Sequence, residues 1–252
     1  MQNSLIFNFK TDISGIEIPE ELNNPFGTVL PEIVRIAAKE FQKFIAVESP
    51  NWNYDFETQK GKMFGVIVVQ KPDNTFGYLG TMSGKFPENK NCAQFVPSVF
   101  DVATDDFFIN KGMTELAEIG KKIKNSTDQI EINELTETRK QKSYALQNRL
   151  FENYLFTTKY GVEKNVIEIF ADSARGNPPA AAGECAAPKL LQFAFSYQLK
   201  PIAIAEFWWG NTTKSKERNH QGFYPACKNK CRPILEFMLE DRKLFRNVNL
   251  LL

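Results

Sequence analysis

The chain has 252 residues, 42% of them hydrophobic and 24% charged, with 31 Lys and Arg against 30 Asp and Glu. That length supports a substantial core, and a net charge of +1 excludes a uniformly basic nucleic-acid binder or an acidic disordered chain. The longest apolar runs, such as Ile202 to Ala205, fall far short of the roughly 20 residues of a membrane helix.

Met1 to Ser4 lacks the basic and apolar regions of a secretory leader, so the chain reads as cytoplasmic. In that compartment four cysteines are thiols or metal ligands rather than disulfides. A single histidine, His220, excludes any multi-histidine metal site.

In chain order, the first clear element is a helix opened by Pro31, with Ile33, Val34, Ile36, Ala37, Phe41, Phe44 and Ile45 at helical spacing. A β-hairpin follows, Met63 to Val69 and Phe76 to Gly80 around the turn residues Pro72, Asp73 and Asn74. Its first strand is apolar nearly throughout, the pattern of a strand buried on both faces. Residues 111–150 hold 14 charged side chains and no proline. They predict a solvated helical insertion over about 111–160, broken near Asn125 and Ser126 and running on through Leu146, Leu150, Tyr154 and Leu155. A partner-binding arm is the alternative reading of that surface.

Past the Pro178-Pro179 loop, Cys185 precedes a helix carrying Leu190, Leu191, Ala194 and Phe195 on one face, with Pro188 in its first turn. A strand follows from Ile202 to Trp209, ended by Gly210. A basic loop then leads to a second amphipathic helix, Cys227 to Leu239. The expected architecture is one α/β domain over residues 1–252: a mixed sheet of about four or five strands, helices on both faces, and the charged insertion. Charge is uneven along it, since residues 173–252 hold 12 Lys and Arg against 6 Asp and Glu, while residues 1–172 hold 19 against 24.

Three cysteines fall at helix starts. Cys227 and Cys231, four apart, share a face of one helix, and Cys185 opens the other. A helix–strand–helix order packs both helices on one side of the sheet and brings the three thiols together, where helix dipoles favour thiolate. Three thiolates suit Zn²⁺, with His220 as the candidate fourth ligand. The plain alternatives are buried thiols for the cysteines, and an RNA contact or ordinary loop position for His220. Cys92, alone, reads as an inert core thiol.

The arrangement resembles the zinc-dependent nucleoside and nucleobase deaminases: a hairpin, a helix opening with His/Cys-x-Glu, a strand, and a helix opening with Pro-Cys-x-x-Cys. The matching residues are Phe64 to Tyr78, Cys185-Ala186-Ala187, and Pro225-Ala226-Cys227 through Cys231. The likeness implies a deaminase-type fold and zinc ligation. The sequence departs from the family at the proton-carrying glutamate, where Ala187 stands, and in the spacing of the last pair, which has an extra residue. Glu184 and Glu206 are the remaining candidates for that carboxylate.

A second likeness spans about residues 25 to 240. Gly61 to Gly65, Gly77 to Leu79, Pro178 to Ala186, Lys189 to Ala194, Ala205 to Gly210 and Phe223 to Cys231 resemble the N-terminal extension of RluA-type pseudouridine synthases of Bacteroidetes. That resemblance implies association with ribosomal or transfer RNA. The family's synthase domain, with its catalytic Asp in an Arg-Leu-Asp-type motif, has no counterpart, and Leu252 falls where that domain is expected to begin.

From Lys214 to Arg232 there are six basic residues and one acidic one. Interleaved with aromatics, they suit looped or single-stranded RNA. The candidate contacts are Arg175, Lys189, Lys214, Lys216, Arg218, Tyr224, Lys228, Lys230 and Arg232; a solvated loop over core tryptophans is the alternative. The leading expectation is an RNA-associated accessory protein with a structural or catalytically incomplete zinc site. An active zinc-dependent nucleobase deaminase and a zinc-free interaction module are the alternatives.

Overall fold

Strand β1 (Lys62–Gln70) is the centre around which the chain is built. Its interior residues are buried without alternation, because both faces and both edges are covered. Strand β2 (Phe76–Met82) returns along one edge, pairing Ile67 with Leu79, through a turn in which Asn74 takes a φ of 65°. The structure, a computed structural model, describes residues 4–52, 54–84, 92–100, 107–212 and 218–240.

Helix α1 (Glu32–Glu48) lays Ile33, Val34, Ala37, Phe41 and Ile45 on one face of the sheet. The other face carries α5 (Ala186–Ser196) and α6 (Arg232–Leu239), through Leu190, Leu191 and Ala194 from the first and Ile234, Leu235 and Met238 from the second. Between them runs β5 (Lys200–Trp209) on the second edge of β1, followed by the short β6 (Phe223–Tyr224). The sheet order is β2-β1-β5-β6. Helices thus cover both faces of one four-stranded sheet, as the sequence implies, and every pairing within it is antiparallel.

Alternation along β5 sorts its residues. Ala203, Ala205, Phe207 and Trp209 join the core under α1, and Ile204 joins the core under α5. Glu206 and Trp208 continue the α5 side to the end of the sheet.

The charged insertion is a helical hairpin, α2 (Phe107–Asn125) and α3 (Gln129–Glu152). It breaks where Asp128 caps α3 by accepting the Ile130 N–H at 2.9 Å. Only Phe151 of α3 is buried, as expected of a solvated arm. The expected continuation of the helix through Tyr154 and Leu155 does not occur. Phe151, Tyr154 and Phe156 are all buried, a spacing no single helix face supplies, so α3 stops and β3 (Leu155–Thr157) pairs with β4 (Glu163–Asn165) as a second small sheet. Helix α4 (Val166–Ala171) follows and packs on α6. Among the described residues no helix is long and apolar enough to cross a membrane.

One contact fixes how α5 meets β1. A Cβ on Gly65 would stand 2.7 Å from the Cβ of Ala186 and 3.1 Å from Leu190. The first turn of α5 therefore rests on bare backbone. Gly65→Val is expected to cost about 1–3 kcal/mol by overpacking, whereas Gly120→Ala, on helical α2 with its nearest neighbour at 3.7 Å, stabilises by up to about 1 kcal/mol. Urea denaturation of both variants checks this; equal and small shifts would contradict the close approach.

Candidate metal centre

Cys185 is the N-cap of α5 and Cys231 the N-cap of α6. Cys227 lies one turn before Cys231, whose N–H bonds the Cys227 carbonyl at 3.2 Å. Because the two helices pack side by side on one face of the sheet, their N-terminal ends meet. The three Sγ atoms lie within 4.8 Å of one another. The Cys185–Cys227 separation is 3.8 Å and the Cys227–Cys231 separation 3.3 Å. Cys231 is buried, Cys185 half-buried, and Cys227 the most accessible.

Hydrogen bonds from Cys185 and Cys231, together with the N–H groups of Lys230 and Cys231, hold the Cys227 thiol well below its ordinary range. The same sharing pushes Cys185 and Cys231 up, as donors. The three sulfurs lie at two helix N-termini, where positive partial charge favours thiolate. Cys92 stands apart, its thiol 3.1 Å from Gln94 Oε1 and raised by burial.

A carboxylate reaches the same place from the sheet. Glu206 is only 6% exposed, and its Oε1 accepts the backbone N–H of Ala187 at 2.9 Å. Burial pushes the carboxyl up to about 7, against the pull of that hydrogen bond, and the Cys227 charge adds to the rise. Ala187 is the position two residues after Cys185, and its backbone N–H meets a carboxylate from β5. Cys185, Cys227 and Glu206 all line a cavity of about 1050 Å³.

The structure separates the other expected residues. His220 is not with the thiols. Its Nδ1 accepts the Gly210 N–H at 3.0 Å and its ring lies 4.4 Å from that of Trp209, so it follows Trp209 into a different cavity. Glu184 is held by the hydroxyl of Tyr154 and does not line the cavity of the thiols. Lys189, expected to contact RNA, is 3% exposed and donates to the Gly84 carbonyl at 3.2 Å, because a position four residues after Cys185 faces inward. Arg232 pairs with Glu236 at 2.8 Å, and Arg175 sits on the exposed loop outside the cavity. Arg218, Tyr224, Lys228 and Lys230 do line the cavity. Lys214 and Lys216 lie outside the described residues.

Lys60, Lys62 and Trp208, not selected as site residues from the sequence, also line the cavity. The antiparallel pairing of Lys62 with Trp209 puts the start of β1 beside the end of β5, a neighbourhood that no local sequence pattern signals.

Comparison with protein-family models, with curated proteins and with solved structures finds no match for this chain.

The buried carboxyl sets a pH dependence for the metal-free protein. Its folded value of about 7 exceeds the ordinary 4.5, so the folded state holds this proton more tightly than the unfolded chain. The stability it favours is present at low pH and is lost as pH rises through 7, by about 3 kcal/mol in total for this group. Glu206→Gln is expected to remove that loss between about pH 5 and about pH 8 in denaturant titrations. Identical pH slopes for variant and wild type would contradict it.

Proposed function

We propose that the chain is a zinc-dependent hydrolytic enzyme of the deaminase type, with Cys185, Cys227 and Cys231 as ligands and Glu206 as proton carrier. The observation that carries this reading is the buried carboxylate facing the same cavity as a three-thiol cluster.

The donor set fits zinc. Tetrahedral ligation with Zn–S near 2.3 Å puts sulfurs about 3.8 Å apart; the Cys185–Cys227 distance is 3.8 Å and the Cys227–Cys231 distance 3.3 Å. Soft thiolates select zinc over hard cations such as Mg²⁺. Among the described residues no fourth His, Cys, Asp or Glu joins the group. A closed structural shell using His220 loses its fourth ligand, which favours three protein ligands and one open position, the pattern of catalytic sites.

Zinc held there supplies Lewis acidity and a water acidified toward neutrality. The chain's own residues do the rest. Glu206 Oε1 is anchored by the Ala187 amide, which leaves Oε2 to carry the proton. Anchored there beside the thiol cavity, the Glu206 carboxylate would take a proton from the attacking water and return it to the departing nitrogen. In a hydrolytic deamination the C–N bond of an amino-substituted heterocycle is replaced by C=O, and the amine leaves as ammonia. The resemblance to the deaminases supports this class, since both helix-borne motifs occupy helix N-termini on one side of a hairpin-centred sheet.

Metal analysis of purified full-length protein is expected to find one zinc per chain, lost in Cys231→Ser; less than about 0.2 zinc per chain would overturn the reading. Glu206→Gln should keep its zinc and release ammonia about 10²- to 10⁴-fold more slowly from the cytosine-, adenine- or guanine-containing nucleosides and nucleotides that the wild type accepts. A zinc-loaded wild type that releases no ammonia from any of them would refute the deaminase class.

A further inference from the structure

The cavity beside the thiols has an unbalanced wall. Among the described residues, Lys60, Lys62, Arg218, Lys228 and Lys230 line it, and Glu206 is the one acidic residue of that lining. Three thiolates with one divalent metal carry a single negative charge, and Glu206 adds at most one more. Five cations exceed those two charges by three. The cations come from distant parts of the sequence, two from the start of β1 and three from the region around β6, so no single charged run explains them. They also repel one another: the Lys62 ammonium is pulled down by burial and by the charge of Lys60. A fold that gathers like charges around a cavity accepts that repulsion where an anion relieves it.

Arg218 shows what kind of anion. Its guanidinium lies 4.9 Å from the ring centre of Trp208 and 5.3 Å from that of Tyr224. Both rings are themselves fixed: Trp208 Nε1 donates to the Asn211 carbonyl at 3.1 Å, and the Tyr224 hydroxyl accepts the Asn219 N–H at 2.7 Å. With both rings already engaged by Arg218, they are not open platforms for stacking bases. A guanidinium positioned over two rings keeps its charge at the cavity, and its N–H fork is the donor geometry that matches a phosphate. Its charge is also close enough to act on Glu206.

We infer that this cavity binds a phosphate-bearing ligand, a nucleotide either free or within a single strand, with Arg218 as the phosphate fork and the four lysines as the surrounding positive field. The inference rests on the proposed zinc chemistry for the base end of that ligand, and adds that the uncharged nucleoside or free base is not the preferred form.

The test uses the full chain with its native metal content measured on the same sample. Binding of a fluorescein-labelled, mixed-sequence RNA of about 12 nucleotides is followed by anisotropy across a salt series, with cytidine, its 5′-monophosphate and inorganic phosphate as competitors. The expected log Kd against log salt slope is about 3, for four to five phosphate contacts at about 0.7 each. Lys60→Glu with Lys62→Glu, and separately Lys228→Glu with Lys230→Glu, should each weaken binding at least about 10-fold while zinc content stays at one per chain. Competition by the monophosphate as effective as unlabelled strand assigns the site to free nucleotides; competition by strand alone assigns it to nucleic acid. Salt-independent binding, charge reversals without effect, or cytidine competing as well as its monophosphate would overturn the inference. Zinc-loaded protein that ignores phosphate refutes this inference alone, whereas zinc-free protein that binds phosphate refutes the metal reading alone.

Discussion

The site depends on one cross-strand pair. Gly65 of β1 and Glu206 of β5 stand opposite each other in the sheet. Gly65 has no side chain, so the first turn of α5 can descend onto the strand until Ala186 would touch a Cβ placed there. Glu206, beside it, accepts the buried N–H of Ala187 and ties that helix end to the sheet. A larger residue at 65 would lift α5 and carry Cys185 away from Cys227. A residue at 206 without a carboxylate would leave a helix N–H unpaired in a buried place, at a cost of about 1–3 kcal/mol.

From that pair the rest follows in order. The position of α5 sets Cys185. The packing of α6 against α5 sets Cys231, and the turn closed by the Cys231 N–H and the Cys227 carbonyl sets Cys227. Three thiols and a buried carboxylate gathered in this way are expensive without a cation, because desolvated like charges oppose one another. The raised Glu206 carboxyl and the hydrogen bonds among the three sulfurs both reduce that cost in the metal-free protein. In the proposed reading a divalent metal would remove that cost more completely, with the thiols as its ligands. Among the described residues the cavity wall beside the thiols is mostly basic.

Much of this was legible in the sequence, for specific reasons. The hairpin was readable because β1 is apolar throughout and its turn is built from Pro72, Asp73 and Asn74. Helices α5 and α6 were readable from their apolar spacing, and their order predicted that Cys185, Cys227 and Cys231 meet. The arm between 107 and 152 showed in its charge density. What failed was finer. Tyr154 and Leu155 continue the helical spacing, yet the burial of Phe151, Tyr154 and Phe156 ends the helix and starts β3. His220 is close in sequence to Cys227, but alternation along β5 puts Trp209 on the α1 side and His220 packs on it. Lys189 and Arg232 carry charge in a basic region, but one faces the interior and the other is paired with Glu236. Glu206 was one of two carboxylates the sequence left open; its contact to the Ala187 amide and its place in the cavity wall separate it from Glu184, which the Tyr154 hydroxyl holds elsewhere. Lys60 and Lys62 were invisible until strand pairing placed them beside β5.

X-ray absorption at the zinc edge of the purified protein reads whether a zinc ion is held by three thiolates with an open position facing Glu206. The proposed shell has three sulfur scatterers at about 2.3 Å and one nitrogen- or oxygen-class scatterer at about 2.0 Å that exchanges with added anions such as azide. Four sulfurs, a fourth histidine with no exchange, or no zinc signal at all would contradict it.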